Sequence, residues 1–434
     1  MVAKKSDTLW IYMNGEKVAR LSKLRGGDLE LSYAQTWLDS KSGRPLSLSL
    51  PLGSVPFTGY KVHSFFDNLL PDSDSIKKRI QARFRAPSNE SFDLLSHVGR
   101  DCVGALQMLP EEVDDLDVRK VEAAALSDEE IGERLTHYKT MPLGMAEDED
   151  FRISIAGAQE KTAFLWWQEK WHVPHGLTPT THIFKLPIGK HHFDLSDSVE
   201  NEWLCHLILK EFGVPVADAS IATFGGSKAL VVTRFDRRWA SDDSWIIRLP
   251  QEDFCQALGI PPALKYENKG GPGILAVMRQ LQGSANALND RHLFMKVQFL
   301  FWLLAAIDGH GKNFSIFLEA GGRFTLTPIY DVISAHSLMA RGELLVQKAK
   351  MAMALRGKSP HYTWDRIKHR HWLETAKMCG FPEKDMEGIF KEALESLDGV
   401  IERVARQVPD AKVEAVAQPV FAGMRLAREM FAKG

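Results

Sequence analysis

A chain of 434 residues with 44% hydrophobic and 25% charged side chains is long enough for about three domains and apolar enough for real cores, which excludes a disordered or fibrous class. Its formal charge of −2 argues against strong autonomous nucleic-acid binding, because the phosphate backbone rewards concentrated positive charge; DNA contact should depend on a partner. The four cysteines, Cys102, Cys205, Cys255 and Cys379, lie far apart without CxxC or histidine-rich spacing, so they read as reduced, buried thiols and not as a zinc site.

The N-terminus, MVAKKSDTLWIYMNGEKVARL, has no apolar signal core, and its Asn14-Gly15 pair predicts a tight hairpin. The first hundred or so residues mix short strands with a helical region in NLLPDSDSIKKRIQARF, giving an N-terminal subdomain over 1–110. PEEVDDLDVRKVEAAALSDEEIGERL (110–135) predicts a surface loop leading into an amphipathic helix, and MAEDEDF (145–151) is a second acidic break. FRISIAGAQEKTAFLWW then shows strand-like ends around AGAQEK, a turn whose backbone N–H groups would cover phosphates, although the single Gly157 fits neither GxGxxG nor GxxxxGK[ST].

THIFKLP (181–187) places Lys185 in a β-prone run, and DSVENEWLCHLILKEFG predicts a helix on which Glu202, or its rival Glu200, would pair with that lysine. ALVVTRFDRRW (229–239) reads as a buried strand entering a charged segment. Thr233, Arg234 and Phe235 would there offer backbone groups to adenine, and a salt-bridged turn fits the same residues. In QEDFCQALG, Gln251, Asp253 and Gln256 fall at spacings compatible with a helix face and favour a structural role, satisfying buried loops. From about 245 onward the chain turns mainly helical, and 385–434 reads as helices capping that part.

The densest chemistry lies in AIDGHGKNFSIFLEAGGRFTLTPIYDV (306–332). Upstream, MKVQFLFWLLAAI (295–307) predicts a buried helix that holds the following loop rigidly; its apolar run 297–307 contains Gln298 and is too short to span a bilayer. FSIF and FTLT, separated by EAGGR, predict a hairpin that returns Asp331 toward Asn313. Phosphoryl transfer needs a carboxylate near the attacking hydroxyl and hard oxygens to hold Mg²⁺ against the phosphates, and Asp308, Asn313 and Asp331 supply both; a loop-capping pair gives the same Asp–Asn spacing.

Together ISIAGAQEKTA, PTTHIFKLP, VTRFDRRW, LPQEDFCQALG, DGHGKNFSIF and TPIYDV resemble successive motifs of the HipA family of bacterial toxin kinases. RPLSLSLPL, FFDNLLPDS and FDLLSHVGRDCVGAL extend the resemblance over nearly the whole chain. The resemblance implies an α+β, two-lobed protein-kinase-like fold related to phosphatidylinositol 3-kinase-like kinases, with a mixed α/β N-terminal lobe, a mainly helical C-terminal lobe and ATP between them. On that basis 111–235 completes the N-terminal lobe and 236–434 forms the other.

Carried over by position, the resemblance makes Asp308 the acceptor of the substrate hydroxyl proton within a D-x-H-x-x-N loop, Asn313 and Asp331 the magnesium ligands, and Lys185 the phosphate-binding lysine. Ala156, Gly157, Ala158, Gln159, Glu160 and Lys161 match the phosphate loop, Thr233 to Phe235 the hinge, and His310, Gly311 and Lys312 with Asn313 the remaining catalytic-loop contacts. Tyr330 and Asp331 stand where better-known kinases have DFG, with no A-P-E motif after them, so an activation-loop flip is not expected.

Ser154 matches the family's autophosphorylated serine, where a phosphate of about −1.5 to −2 charge would repel the nucleotide or refold the loop; a solvent-facing strand serine is the plain alternative. The resemblance further implies a type II toxin, a small helix-turn-helix antitoxin (HipB) with which it binds operator DNA, and a translation component as target, glutamyl-tRNA synthetase being the family's best-known one; the N-terminus without a signal core and the short apolar run predict a cytoplasmic protein. Alternatives are a catalytically idle corepressor, suggested by the basic stretch 341–370, and a small-molecule or lipid kinase, suggested by the D-x-H-x-x-N order, although no membrane-binding helix supports a lipid substrate; in TAKMCGF Gly380 stands where a cation would help a DNA contact, which leaves Lys377 as the candidate.

Overall fold

The computed structural model describes residues 7–137, 143, 152–157, 159–190 and 192–433. The chain forms two compact units, the first made of Met1–Leu186, Ala222–Ala263 and Ile316–Arg323, the second of Pro187–Ile221, Leu264–Ser315 and Phe324–Gly434.

The first unit begins with an antiparallel five-stranded sheet in the order Phe57–Thr58, Leu29–Tyr33, Glu16–Lys23, Thr8–Met13, Leu106–Leu109. Asn14 (φ 48°) and Gly15 (φ 89°) both lie in the left-handed region, the twist-matched turn that an Asn-Gly pair favours, and this sets Met13 opposite Glu16. Helices Tyr60–Asp67, Asp74–Phe84 and Ser91–Val98 bury Phe65, Phe66, Ile80 and Leu95 in one core with Leu9, Ile11 and Leu21 of the sheet.

A second sheet of this unit places Ser227–Thr233, His182–Lys185, Lys161–Trp167, Lys170–Pro174 and Ala123–Ala125 side by side. Three alanines carry no alternation signal, which is why that last edge strand escapes sequence inspection. It leads to helix Asp128–Thr136, opened by a capping box in which Ser127 and Glu130 each accept the other's backbone N–H.

Two expectations need correction. Among the described residues of the 151–167 segment only Lys161–Trp167 is a strand; at 152–156 the backbone bonds to a neighbouring loop instead of a ladder, as when the Ser154 N–H donates to the Asp101 carbonyl at 3.0 Å. Nor do Gln251, Asp253 and Gln256 share a helix face, because Gln251–Asp253 is a strand and only the four residues Phe254–Ala257 are helical. Their structural role holds: Asp253 accepts the Gln256 N–H at 2.9 Å, and the Gln256 carbonyl accepts the Ser49 hydroxyl at 2.7 Å. The acidic break at 145–151 lies outside the described residues.

The second unit is mainly helical. Its central helix, Ala287–Leu303, is buried without interruption from Phe294 to Leu303, as expected of a helix apolar on all sides. Around it pack Glu383–Ala405 and Ala411–Ala432, with Phe299 meeting the Phe390 and Phe431 rings at 4.9 and 5.3 Å. All four cysteines are buried thiols outside any disulfide. Among the described residues no helix is long and apolar enough to cross a membrane.

Candidate active site

In the second unit the central helix stops at Leu303, and Ala305 takes a left-handed turn (φ 46°) closed by the Ala306 N–H donating to the Phe301 carbonyl at 2.8 Å. A Cβ on Gly309 would stand 2.6 Å from Cδ2 of Phe301, so this ring permits only glycine. Gly309→Ala should therefore cost about 1–3 kcal/mol through overpacking, read as a lower urea midpoint at unchanged m-value; an unshifted midpoint would mean that the ring yields freely.

The turn presents Asp308 at the surface, where its Oδ1 accepts the Tyr266 hydroxyl and its carbonyl accepts the His310 N–H at 2.8 Å. His310 is buried edge-on to Tyr266, ring centroids 4.9 Å apart, and Gly311–Asn313 forms a single 3₁₀ turn held by the Gly311 N–H donating to the Lys265 carbonyl at 3.2 Å. Sequence inspection gave Tyr266 no role: it lies 42 residues upstream of Asp308, in no recognised pattern.

Strands Ser315–Leu318 and Phe324–Leu326 follow, and Thr327 donates both its N–H and its hydroxyl to the Ser315 carbonyl, at 3.0 and 3.1 Å. Tyr330 then donates its hydroxyl to the Lys312 carbonyl at 2.8 Å, and Asp331 adopts a left-handed backbone (φ 61°). These bonds bring Asp331 to Asn313, whose Nδ2 donates to the Asp331 carbonyl at 3.1 Å and to its Oδ2 at 3.3 Å.

The Asn313 amide is thereby oriented, and its Oδ1 is buried without a hydrogen-bond partner among the described residues. An orphaned amide oxygen beside a carboxylate suits Mg²⁺, which takes one or two protein oxygens and completes its octahedron with phosphates and waters.

The segment after Asp331 is clasped from two sides. Asn201, on helix Ser198–Glu211, exchanges hydrogen bonds of 2.8 and 2.9 Å with the Ser334 backbone, while the Ser334 hydroxyl donates to the Leu304 carbonyl at 2.6 Å. On the same helix Glu200 and Glu202 are both buried, and Glu202 Oε1 lies 3.7 Å from Nε2 of His206.

In the first unit Lys185 sits directly opposite Lys161 on one side and Leu230 on the other. Directly opposite side chains share a sheet face, so this register puts two positive charges side by side, both lysines at most 9% exposed. Lys161 Nζ donates to the Ala156 carbonyl, and a Cβ on Gly157 (φ 110°) would collide with that same ammonium. The Gln159 amide donates to the Leu186 carbonyl, and Glu160 pairs with Arg79. Ala158 lies outside the described residues. Ser154 is fully buried, its hydroxyl donating to the Leu69 carbonyl at 2.8 Å, so the alternative of a solvent-facing strand serine is overturned.

Thr233 is exposed at the end of its strand, and Phe235 meets Phe317 edge-on at 5.8 Å. Arg234 is committed elsewhere: its N–H donates to the Thr181 carbonyl at 2.9 Å, and its guanidinium enters a buried cluster with Arg237, Arg248, Asp101 and Asp236. Asp101 is held by Arg237 at 2.8 Å and by Arg234 at 3.3 Å, and Asp236 by Arg234 at 2.8 Å. Burial opposes every charge here, yet Arg237, Arg234 and Arg248 together hold the Asp101 carboxyl well below its ordinary range. Burial, only partly offset by Asp101, pulls Arg248 down to about 10. The salt-bridged turn weighed at these residues is therefore present.

Comparison with known proteins places the chain. Residues 153–401 match the HipA-like C-terminal domain and residues 9–109 the HipA N-terminal domain. The chain belongs to the HipA family. The Sinorhizobium fredii protein Y4mE is 32% identical over 92% of this chain and 91% of its own length. The serine/threonine-protein kinase toxin HipA of Shewanella oneidensis is 29% identical over 77% and 76%. A solved complex of Shewanella oneidensis HipA, HipB and operator DNA contains a chain that superposes with a TM-score of 0.82 at 22% identity, covering 98% of this chain and 97% of that one. The likeness shows the fold, an α+β, two-lobed, kinase-like one.

Proposed function

We propose that the chain is the toxin of a type II toxin–antitoxin pair, an ATP- and Mg²⁺-dependent protein serine/threonine kinase. The observation that carries the reading is the joining of Asn313 to Asp331 at 3.1 and 3.3 Å in the same unit that presents Asp308 at the surface. In the transfer the substrate hydroxyl oxygen attacks the γ-phosphorus, the bond to the β–γ bridging oxygen breaks and ADP leaves; Asp308 orients the hydroxyl and accepts its proton. Asn313 Oδ1 and the Asp331 carboxylate would hold Mg²⁺, which when bound neutralises charge on the phosphates. Lys185, with Lys161 opposite it and the 156–161 turn beside it, would bind phosphate oxygens, Glu202 would hold Lys185, and the backbone at 233–235 would meet adenine.

The same reading gives the toxin a HipB-like helix-turn-helix antitoxin, operator DNA bound through that antitoxin, a cytoplasmic setting, and a translation component as target, with glutamyl-tRNA synthetase the first to test. What supports it is family membership and the likeness to a chain solved in complex with HipB and operator DNA. Autophosphorylation of Ser154 would silence the enzyme. A phosphorylated Ser154 could no longer donate to the Leu69 carbonyl, and a buried dianion would drive 153–157 out of its seat.

Intact-mass analysis after incubation with Mg²⁺-ATP tests this. The wild-type protein should gain a single phosphate that maps to Ser154 and is missing from Ser154→Ala, while Ser154→Ala keeps phosphorylating a protein substrate for longer. Transfer to substrate with no label at Ser154 would dispose of the silencing step; no transfer to any protein would dispose of the kinase.

A further inference from the structure

Asp308 stands exposed on its loop, where a carboxylate turns about its Cβ–Cγ bond unless a donor holds it. The Tyr266 hydroxyl is that donor: it binds Oδ1, and among the described residues no other side chain donates to this carboxylate. The phenol is itself firmly mounted. The Tyr266 carbonyl accepts the N–H groups of Lys269 at 3.0 Å and Gly271 at 2.9 Å, and the Lys265 carbonyl accepts the Gly311 N–H of the turn after Asp308 at 3.2 Å. On the other side Glu267 accepts the Ala354 N–H at 2.5 Å and pairs with Arg356, which ties the segment to strand Lys350–Leu355. The Tyr266 ring stands edge-on to the buried His310, and the ammonium groups of Lys265 and Lys269 lie 5.7 Å from its centroid.

We infer that Tyr266 is a positioning residue of the phosphoryl transfer: by holding Oδ1 of Asp308 it aims Oδ2 at the incoming substrate hydroxyl; the inference rests on the kinase reading above. A neutral donor suits this task. An ammonium or guanidinium in its place would stabilise the carboxylate's charge and make it a poorer proton acceptor, whereas a phenol fixes the orientation and leaves the charge in place. The mounting explains how an exposed acid keeps one geometry: Tyr266 is tied through Lys265 to the very turn that carries Asp308, so donor and acceptor move together.

Tyr266→Phe removes the hydroxyl and keeps the ring against His310, so it tests the inference on the full chain, alone and combined with Asp308→Asn. Transfer from Mg²⁺-ATP is followed under single turnover, to glutamyl-tRNA synthetase and to the chain itself, beside steady-state constants, nucleotide affinity and the unfolding temperature. Alone, Tyr266→Phe should lower kcat and kcat/KM together by about tenfold, the signature of an interaction that counts in the transition state, with nucleotide affinity and unfolding temperature unchanged. In the Asp308→Asn background, where no carboxylate is left to aim, the same change should cost less than about twofold. Equal losses in both backgrounds would reduce Tyr266 to a structural prop, and faster transfer by Tyr266→Phe would mean that the phenol blocks the hydroxyl's place; either overturns the inference, as does unchanged turnover. Failure of the kinase reading looks different, because the wild-type protein then transfers phosphate to neither acceptor, and the inference falls with it.

Discussion

Asp308→Asn is expected to slow phosphoryl transfer by at least about 10²-fold while leaving the protein folded and able to bind Mg²⁺-ATP. Asparagine keeps the size of the side chain and an oxygen to accept the Tyr266 hydroxyl; what it removes is the negative charge that orients a substrate hydroxyl and takes its proton. Because Asp308 is exposed, no buried charge is uncovered, and the stability change should stay within about 0.5 kcal/mol. Single-turnover transfer to a protein substrate, beside nucleotide affinity and the urea midpoint, separates the two effects. Near-normal turnover would strip Asp308 of its role, and a large drop in the midpoint would mean that the loop depends on it for structure. In cells the same substitution should abolish growth arrest at equal protein level.

The second large effect concerns folding. Asp101→Asn should destabilise the first unit by about 3–5 kcal/mol, because it leaves Arg234, Arg237 and Arg248 buried with Asp236 as the remaining acid of the cluster. Asparagine can still accept the Thr180 N–H and hydroxyl, which approach Asp101 Oδ2 at 3.0 and 2.8 Å, but its amide nitrogen would then face the Arg237 donor that Oδ1 now accepts, so the charge and one hydrogen bond are lost together. The sign with pH follows from linkage. The Asp101 carboxyl is depressed in the folded state, so its contribution is complete above the ordinary unfolded value of about 3.9 and disappears as pH falls below that toward the lower folded value. Urea unfolding from neutral to acidic pH should show the variant's deficit shrinking toward the acid end. A deficit under about 1 kcal/mol at neutral pH would mean that the cluster relaxes around the gap.

Much of the site could be read along the chain wherever its determinants are local. The central helix follows from an unbroken apolar run, the first hairpin from Asn14-Gly15, and the return of Asp331 to Asn313 from two β-prone runs flanking a glycine turn. What escaped inspection depends on partners distant in sequence. Arg234 meets Asp101 across 133 residues, and nothing local distinguishes that arginine from one at a salt-bridged surface turn. Tyr266 reaches Asp308 from a 3₁₀-bounded loop without periodicity, and the burial of Ser154 depends on a carbonyl 85 residues earlier. The first half of 151–167 has strand-like composition, but its backbone N–H and C=O groups find loops before they find a ladder, which sequence alternation cannot foresee.

The chain passes between the two units five times, after residues 186, 221, 263, 315 and 323. Neither unit is therefore a stretch that can be cut out and expressed: a fragment ending at 186 carries Lys185 on a strand whose neighbour, Ser227–Thr233, has yet to be made. On a ribosome the first unit cannot close until residues 316–323 have emerged, when the second still lacks its final stretch, Phe324–Gly434. Such interleaving ties the two units together in synthesis, since a product stopped before residue 316 carries neither of them whole.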